Sequence, residues 1–426
     1  MYFDINSIVE GEYYPGSFIL GIDKRFFDGM KYSDFTNEEM ATLAHEYIHY
    51  LQDISTSNGL LLFQHRAKLL QLNIALSQKE TKVILPFDLE YCGVQNAYAQ
   101  SQLLAFFEGG SLDKKIHHID KIVVEEEELI NEILENESDY KGRKKAQVNI
   151  YYDNRDIPTM LGSRYIIESM AYLIERHCFG AAERENEFPY NACEMVCREI
   201  YAKLLEHPEC LVLLCELSLM SEDCGGYFYQ LLVHLKATDI DFSDVNDLKQ
   251  YLSNTMDKHI LMMETAKKAL PEHIDFMFPQ KVPYMLPINL YVSTIFDAGF
   301  SWRRGNKYFI SDIFNVKNPV EQLKYWISIF PTPMFIDNLS REFYGEFDSL
   351  SMMPVPLSIL DYFKNPSKGC PLIDYCKYSG LGNVNKEQCL HRPWEQCQKK
   401  ELCPLALYFT AFMLDKKQFI VENRVQ

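Results

Sequence analysis

The sequence feature that most limits the possible fold of this chain is a helical pattern that contains two histidines four residues apart. Thr36 and Glu39 have the spacing of a capping box, in which each side chain satisfies a backbone N–H group at the start of a helix. Apolar residues follow at helical spacing: Met40, Leu43, Ala44, Tyr47 and Leu51. The sequence therefore predicts a helix from about Asn37 to Asp53, with an apolar face directed into a core.

Residues 45–49, inside this predicted helix, read His-Glu-Tyr-Ile-His. A four-residue step places His45 and His49 on the same helix face, one turn apart, where both imidazoles can bind one metal ion. Glu46 lies beside that face, and its carboxylate can accept a proton from a metal-activated water and pass it to a leaving group. The alternative is that two histidines lie four residues apart for reasons of packing or by chance.

The motif His45-Glu46-Tyr47-Ile48-His49 on a predicted helix resembles the HExxH motif of the zincin metallopeptidases. The resemblance covers residues 45–49 and their helical context. It implies a zincin-like catalytic core that binds Zn²⁺ through both histidines and uses Glu46 as a general base. It also implies a protein or peptide substrate.

A catalytic zinc ion that also holds water takes three protein ligands, so a third donor must come from elsewhere in the chain. Glu168 is the first choice, because it lies in the middle of an otherwise apolar predicted helix, Leu161 to Cys178. A buried carboxylate without a partner is costly there, and either a metal ion or a salt bridge with Arg or Lys offsets the cost. A glutamate from a second helix also resembles the gluzincin branch of the zincins. The other candidate ligands are His65, His177 and Asp53.

Three more residues of this second helix are candidates for supporting roles. Glu175 lies seven residues after Glu168, hence on the same face, where it can orient a histidine ligand or remain a solvated acid at the helix end. Tyr165 or Tyr172 can donate a hydrogen bond to a tetrahedral oxyanion, although most of the 27 tyrosines must be packing residues. We take Tyr172 as the candidate catalytic residue; it occupies the position where gluzincins often have an acid.

Five of the 12 cysteines cluster near the carboxyl end: Cys370, Cys376, Cys389, Cys397 and Cys403. Four thiolates can hold a second, structural zinc ion or an iron–sulfur cluster. The spacings contain no Cys-x-x-Cys pair, so the usual zinc-ribbon and ferredoxin signatures are absent. Buried free thiols are the main alternative to a metal site, and disulfides are a third interpretation.

The rest of the chain predicts an α+β protein that is predominantly helical, with a zincin-like core, a small N-terminal sheet and a Cys-rich C-terminal tail. Helical patterns cover roughly 60–78, 94–108, 190–206, 210–221, 226–237, 243–269 and 318–330. A strand is expected from Gln147 to Tyr152, and the charge-rich stretch from Lys121 to Glu137 predicts a solvated helix and an exposed loop. We expect three segments: a catalytic core at 1–180, a helical domain at 181–364 and the Cys-rich segment at 365–426.

Composition narrows the classes of function. With 42 basic and 60 acidic side chains, the net charge is -18, which opposes binding to nucleic acid or to an anionic membrane. The N-terminal residues do not resemble a signal peptide, and 12 cysteines without one indicate reduced thiols, so we expect a cytoplasmic protein. No pattern in the sequence indicates an oligomeric state.

Two other functions stay open, because the motif defines the activated water and not the bond that it attacks. One is a non-catalytic binding or regulatory protein on a zincin-like scaffold, and the intact Glu46 argues against it. The other is a zinc amidohydrolase that acts on a non-peptide substrate. The shape of the site distinguishes the latter from a peptidase.

Overall fold

The structure is a computed structural model that describes residues 11–22, 35–87, 95–110, 116, 118–126, 146–181, 188–238, 244–337, 343–344, 352–378, 386–398 and 403–422. Helices dominate this part of the chain and small sheets accompany them. The predicted α+β class with a predominantly helical chain is therefore confirmed.

The described elements are fifteen α-helices, five short 3₁₀ helices and nine strands. The helices are α1 (Asn37–Ser55), α2 (Ser57–Lys79), α3 (Gln95–Glu108), α4 (Ser163–Phe179), α5 (Ala192–Tyr201), α6 (Pro208–Ser218), α7 (Cys224–Thr238), α8 (Val245–Ala266), α9 (Leu270–Met277), α10 (Leu286–Gly305), α11 (Pro319–Ile329), α12 (Val355–Lys364), α13 (Ile373–Tyr378), α14 (Lys386–His391) and α15 (Pro404–Ala411). The strands are β1 (Glu12–Tyr14), β2 (Ile19–Ile22), β3 (Lys82–Leu85), β4 (Ile119–Glu126), β5 (Ala146–Tyr152), β6 (Thr159–Met160), β7 (Met334–Asp337), β8 (Phe343–Tyr344) and β9 (Gln418–Val421).

The strands form three small sheets within the described residues. The first has the order β1-β2-β7-β8, with β1 antiparallel to β2 and β2 parallel to β7, so Ile19 lies opposite Met334. The second joins β3 and β9 in parallel, and the third is the antiparallel set β4-β5-β6. The predicted N-terminal sheet thus recruits strands from much later in the chain. The segment boundaries near residues 180 and 364 stay predictions.

Helix α1 is the central helix and forms where the sequence predicts it. The Thr36 N–H donates to Glu39 Oε2 (2.8 Å) and the Glu39 N–H donates to Thr36 Oγ1 (3.2 Å), so the predicted capping box is present. From Met40 to Ser55 every residue except Thr42 is buried. Helices α2, α4 and α10 and strands β1 and β2 all pack against it. Any polar side chain of α1 in this stretch therefore needs a partner inside the protein.

The prediction of a solvated helix from Lys121 is wrong for residues 121–126, which the structure describes as a strand. Strand β4 occupies Ile119–Glu126 and pairs with β5, with Ile122 opposite Ile150 and Val124 opposite Val148. The β-branched residues gain cross-strand contacts there, and these outweigh the charge run that favoured a helix. The rest of the predicted segment, 127–137, lies outside the described residues.

Helix α10 has no counterpart among the predicted helices. Its Gly299 packs so closely on the end of α1 that a Cβ atom would lie 2.1 Å from the Ile54 carbonyl oxygen. A membrane-spanning helix is not found in the described part of the chain, because its helices lack either the length or the apolar composition.

Candidate metal centre

Helices α1 and α4 pack against each other, and their facing sides bring together the three predicted ligands. His45 Nε2 lies 3.3 Å from Glu168 Oε2, and His49 Nε2 lies 3.4 Å from the same oxygen. One ligand atom from each residue lies within 4.8 Å of the other two. The three side chains form a group that could hold a metal ion.

The distances inside this group are long for direct ion pairs. A hydrogen bond between a charged imidazole and a carboxylate is usually about 2.7–2.9 Å long. The two nitrogens of His45 and His49 instead lie 3.3 and 3.4 Å from the Glu168 oxygen. The two nitrogens therefore share one carboxylate oxygen through long contacts.

The second nitrogen of each histidine has its own partner, which orients the ring. His45 Nδ1 lies 2.8 Å from Glu175 Oε2, and His49 Nδ1 lies 2.9 Å from Gln52 Oε1. The Gln52 amide in turn donates to the Ile167 carbonyl oxygen of α4 at 3.2 Å. With Nδ1–H donating to these acceptors, Nε2 of each ring faces Glu168, and it is the nitrogen that a metal ion would bind after displacing its proton.

Glu175 thus makes the contact expected of a residue that orients a ligand, while Gln52 was missed by the sequence analysis. The available signal was its position three residues after His49 in the same helix, where an amide oxygen can reach the imidazole.

Burial and neighbouring charges shift the pKa values of His45 and Glu168 in opposite directions. Burial lowers the pKa of His45, but its hydrogen bonds with Glu168 and Glu175 outweigh burial and raise the pKa to about 10. Burial raises the pKa of Glu168, but the charge of His49 and the hydrogen bonds from both histidines lower it well below its usual range. Glu168 is therefore ionised over the whole neutral range, as a carboxylate ligand must be.

Glu46 lies next to this group without belonging to it. Its side chain is buried, and burial raises the pKa of its carboxyl, whereas the charges of His45 and His49 lower it. Gly11, just before β1, approaches it closely: a Cβ atom there would lie 2.8 Å from Glu46 Cγ and 3.2 Å from Glu46 Oε1. The first sheet thus borders the site on the Glu46 side.

Aromatic rings surround the histidines. The Tyr13 ring stacks on His49 with a centroid distance of 6.3 Å, and the Tyr190 ring lies edge-on to His45 at 6.0 Å. Tyr13 also donates its hydroxyl hydrogen bond to Asp53 Oδ2 at 3.0 Å. Neither tyrosine was a candidate, since the elements that carry them are distant in sequence from the histidines.

The alternative ligands of the sequence analysis have other partners. Asp53 accepts hydrogen bonds from Tyr13 and from the Gly16 backbone, His65 lies 2.6 Å from the Gln100 amide, and His177 lies 2.9 Å from the Arg176 guanidinium. Among the described residues, none of these three belongs to a metal-binding group.

The two candidate oxyanion donors are fully buried. The Tyr172 ring packs at 5.7 Å from Tyr190, and the Arg176 guanidinium lies 5.3 Å from its centroid. The Tyr165 hydroxyl lies 2.7 Å from Thr159 Oγ1. Tyr190 therefore links Tyr172 to His45, and a catalytic role for Tyr172 stays a prediction.

The five cysteines of the tail lie in one region but not in a tight cage. Every cysteine in the described part of the chain is a free thiol. Among those residues, only His45, His49 and Glu168 bring three ligand atoms within 4.8 Å of one another. In the described residues, no three donor atoms of the tail therefore come as close together as the donors of α1 and α4 do.

Comparison with known proteins adds no family to this geometry. No protein-family model, no curated protein and no solved structure matches the chain. The case for a function consequently rests on the side chains of α1 and α4 and on what surrounds them.

Proposed function

We propose that this protein is a zinc-dependent metallopeptidase with a zincin-like core. His45, His49 and Glu168 are the zinc ligands and Glu46 is the general base. One observation carries the proposal: two imidazole nitrogens and one carboxylate oxygen converge at 3.3 and 3.4 Å, with an uncoordinated carboxylate beside them.

The donor set and its spacing fit zinc. Two histidines and a glutamate are a known ligand set of catalytic zinc sites, with bonds of about 2.0–2.2 Å. In a tetrahedron with such bonds, neighbouring ligand atoms are about 3.3–3.6 Å apart. The observed separations of 3.3 and 3.4 Å lie in that range.

Three protein ligands leave one coordination position for water or substrate. The side chains of His45 and His49 are 8% and 7% exposed, whereas that of Glu168 is 21% exposed. The approach to the site is therefore from the Glu168 side. A zinc ion bound there would polarise the scissile carbonyl and lower the pKa of water towards neutrality.

Glu46 supplies the proton transfer. It follows His45 directly in α1, so its carboxylate is next to the ligands but is not one of them. Its side chain is buried, so its carboxylate is held beside the ligands and away from bulk water. It accepts a proton from the attacking water and delivers it to the amine that leaves.

The position of β1 favours a peptide as the substrate over a small molecule. Among the described strands β1 is at the edge of its sheet, paired only with β2, and it follows directly after Gly11 beside Glu46. An extended peptide can add to such an edge through main-chain hydrogen bonds. The scissile bond would then lie next to the general base. The free thiols of the described chain support the cytoplasm as the place of action.

The experiment replaces Glu46 by Gln and leaves the ligands intact. Glu46→Gln should keep its zinc and its fold, and hydrolysis should fall by at least the ~10²–10⁴-fold that a general base contributes. Newly formed amino termini in the host proteome measure hydrolysis, and elemental analysis measures zinc. The matched control is Glu38→Gln, the same change at an exposed position of the same helix, and it should be as active as the unchanged protein.

Because Glu46→Gln still binds substrate, it can also retain the target protein for identification. Equal proteolysis by Glu46→Gln and the unchanged protein, at equal zinc content, would mean that the metal is structural. The binding-protein interpretation would then replace the peptidase.

A further inference from the structure

A cavity of about 110 Å³ lies beside the turn that joins β1 and β2. A single water molecule needs about 10–15 Å³ of such space, so the cavity has room for a group of several atoms. Its walls come from that turn and from helices α2, α3, α4 and α12. Three wall residues are basic, namely Arg66, Arg164 and Lys364, and two are acidic, Glu108 and Asp361. Basic groups thus outnumber acidic ones here, in a chain whose net charge is -18.

Arg66 is held in place by the protein itself. Its Nη1 donates to the Pro15 carbonyl oxygen at 3.1 Å, and its Nη2 donates to Glu108 Oε1 at 2.8 Å. A Cβ atom on Gly16 would lie 2.8 Å from Arg66 Nη1, so the turn packs directly on the guanidinium. Burial lowers the pKa of Arg66, whereas the charges of Glu108 and Asp53 raise it above its usual value. Arg66 therefore shapes the wall, and acids of the protein already balance its charge.

Arg164 is fixed at one nitrogen only. Its Nη2 donates to Glu108 Oε2 at 2.5 Å, so the Glu108 carboxylate is divided between two guanidinium groups. Burial raises the pKa of Glu108, but the charges of Arg66 and Arg164 lower it below its usual range. The Arg164 side chain is 37% exposed, against 12% for Arg66. The remaining N–H groups of the Arg164 guanidinium are consequently available to a group in the cavity.

Lys364 provides the second accessible cation. It is the last residue of α12, lines the same cavity and is exposed. A guanidinium presents its N–H groups in a planar fork that matches the two oxygens of a carboxylate, and an ammonium adds a compact charge. Arg164 and Lys364 together suit an anion with planar oxygens, such as a carboxylate.

Helix α4 connects this cavity to the candidate metal centre. Arg164 lies four residues before Glu168, so both side chains project from the same face of the helix. Four residues of α-helix span about 6 Å. Both side chains are partly exposed, at 37% and 21%. The cavity is therefore on the side from which Glu168 can be approached.

Strand β1 leads to the same place by a second path. Gly11 precedes the strand and lies against Glu46, whereas Tyr14 at its other end lines the cavity. The three-residue step between them spans about 10 Å in extended chain. A peptide added to the β1 edge would thus extend from the general base to the cavity.

We propose, on the basis of the peptidase function proposed above, that Arg164 and Lys364 bind the terminal carboxylate of the peptide substrate. An extended chain spans about 3.3 Å per residue, and the two paths are about 6 and 10 Å long. The scissile bond then lies about two or three residues from the carboxyl end of the substrate. The protein removes short fragments from carboxyl ends.

The test measures peptide binding to zinc-loaded Glu46→Gln, which does not consume its substrate. The probes are two pools of hexapeptides of random sequence with an amino-terminal fluorescent label, one with a free carboxyl terminus and one with a carboxamide. The free-carboxyl pool should bind about 10–100-fold more tightly, the range that hydrogen bonds to a charged group provide. Adding Arg164→Met should remove this difference and leave the zinc content and the affinity for the carboxamide pool unchanged, and Arg164→Lys should restore part of the difference. The matched control Arg198→Met, an exposed position of α5, should keep all of it.

Equal affinity of Glu46→Gln for the two pools would overturn the carboxylate site, whether or not Arg164→Met folds. So would binding of inorganic phosphate that Arg164→Met abolishes in a protein without preference between the pools, because the cavity would then serve a free anion. The peptidase is tested separately. Preference for the free carboxyl without hydrolysis by the unchanged protein would support the carboxylate site and contradict the peptidase, whereas hydrolysis without this preference would contradict the carboxylate site alone.

Discussion

Two buried groups of charges lie along helix α1, and they are built differently. The candidate metal centre contains His45 and His49 in the middle of the helix, whereas an ion pair between Arg303 and Glu216 lies at the carboxyl end of the helix, against Ser55. Both take charged side chains out of water, which is costly. They differ in the interactions that compensate for the loss of hydration.

The Arg303–Glu216 pair is closed and saturated. Neither side chain has exposed surface, and Arg303 donates to the Ser55 carbonyl oxygen (3.0 Å), Ser55 Oγ (3.1 Å) and the Lys307 carbonyl oxygen (2.9 Å). Glu216 accepts from the backbone N–H groups of Ile310 (3.2 Å) and Ser311 (2.9 Å). The pair ties α1, α6 and α10 together and leaves no atom for a ligand.

The candidate metal centre is less enclosed, and the contacts between its donors are longer. His45 and His49 face Glu168 at distances longer than a good charged hydrogen bond, and Glu168 is partly exposed. A buried ion pair with all its hydrogen bonds made is therefore expected to stabilise the fold. Converging donors with one exposed side are instead what a binding site requires.

The largest effect should come from changes to the three proposed zinc ligands. His45→Ala, His49→Ala or Glu168→Ala removes one of three donors, so zinc affinity should fall by more than the ~10–100-fold that an outer contact contributes. Elemental analysis after dialysis measures the loss, and circular dichroism tests that the fold is kept. Zinc content unchanged in the histidine variants would remove the metal centre.

Breaking the Arg303–Glu216 ion pair should lower the stability of the fold without changing zinc affinity. Arg303→Met leaves the Glu216 carboxylate buried without its partner and should cost about 3–5 kcal/mol of the free energy of unfolding. The control is Lys307→Met, because the Lys307–Asp257 pair has side chains that are 34% and 52% exposed and should contribute under ~1 kcal/mol. Denaturant unfolding measures both.

The folded fraction of Arg303→Met should still bind zinc as tightly as the unchanged protein. A specific loss of zinc affinity, or a destabilisation no larger than that of Lys307→Met, would show that the two regions are not distinct.

The two buried acids of these regions differ in how far the sequence predicts their partners. Glu168 and Glu216 look alike in the sequence, since each is an acid in a strongly apolar helix. One faces two histidines and the other an arginine. The pattern predicts that each needs a partner, but the partners are 123 and 87 residues away, so periodicity cannot choose between them. For Glu168 the histidine pair predicts the partner, because a metal site there needs a third ligand. No comparable motif predicts the partner of Glu216.

Local patterns predicted most of the helices, because capping and apolar spacing act within a few residues. Helix α1 is an example, with its capping box at Thr36. The approach of Gly11 to Glu46 and of Tyr190 to His45 depends on tertiary contacts. The prediction of a helix at β4 is wrong for the same reason, because pairing with β5 decides the conformation of this segment.

The contacts behind the histidines should have an intermediate effect. Glu175→Leu or Gln52→Leu removes the acceptor of one Nδ1–H group, so the ring is no longer held with Nε2 towards the metal position. Zinc affinity should fall about 10–100-fold. Competition with a chelator of known affinity measures it. The control is Glu199→Leu, an exposed position of α5, which should leave the affinity unchanged. Affinities equal to that of this control would mean that packing alone orients the rings.

The smallest effect belongs to the cap that starts α1. Thr36→Ala removes the hydroxyl that accepts the Glu39 N–H, and an N-cap change of this kind costs about 1 kcal/mol of stability. Zinc affinity should not change, because every α1 residue from Leu43 onward is buried against other elements and does not depend on the first turn for its position. Thermal unfolding and chelator competition on the same sample separate the two quantities. If Thr36→Ala weakened zinc binding as much as Glu175→Leu, the helix end, and not the partners of Nδ1, would be what positions the histidines.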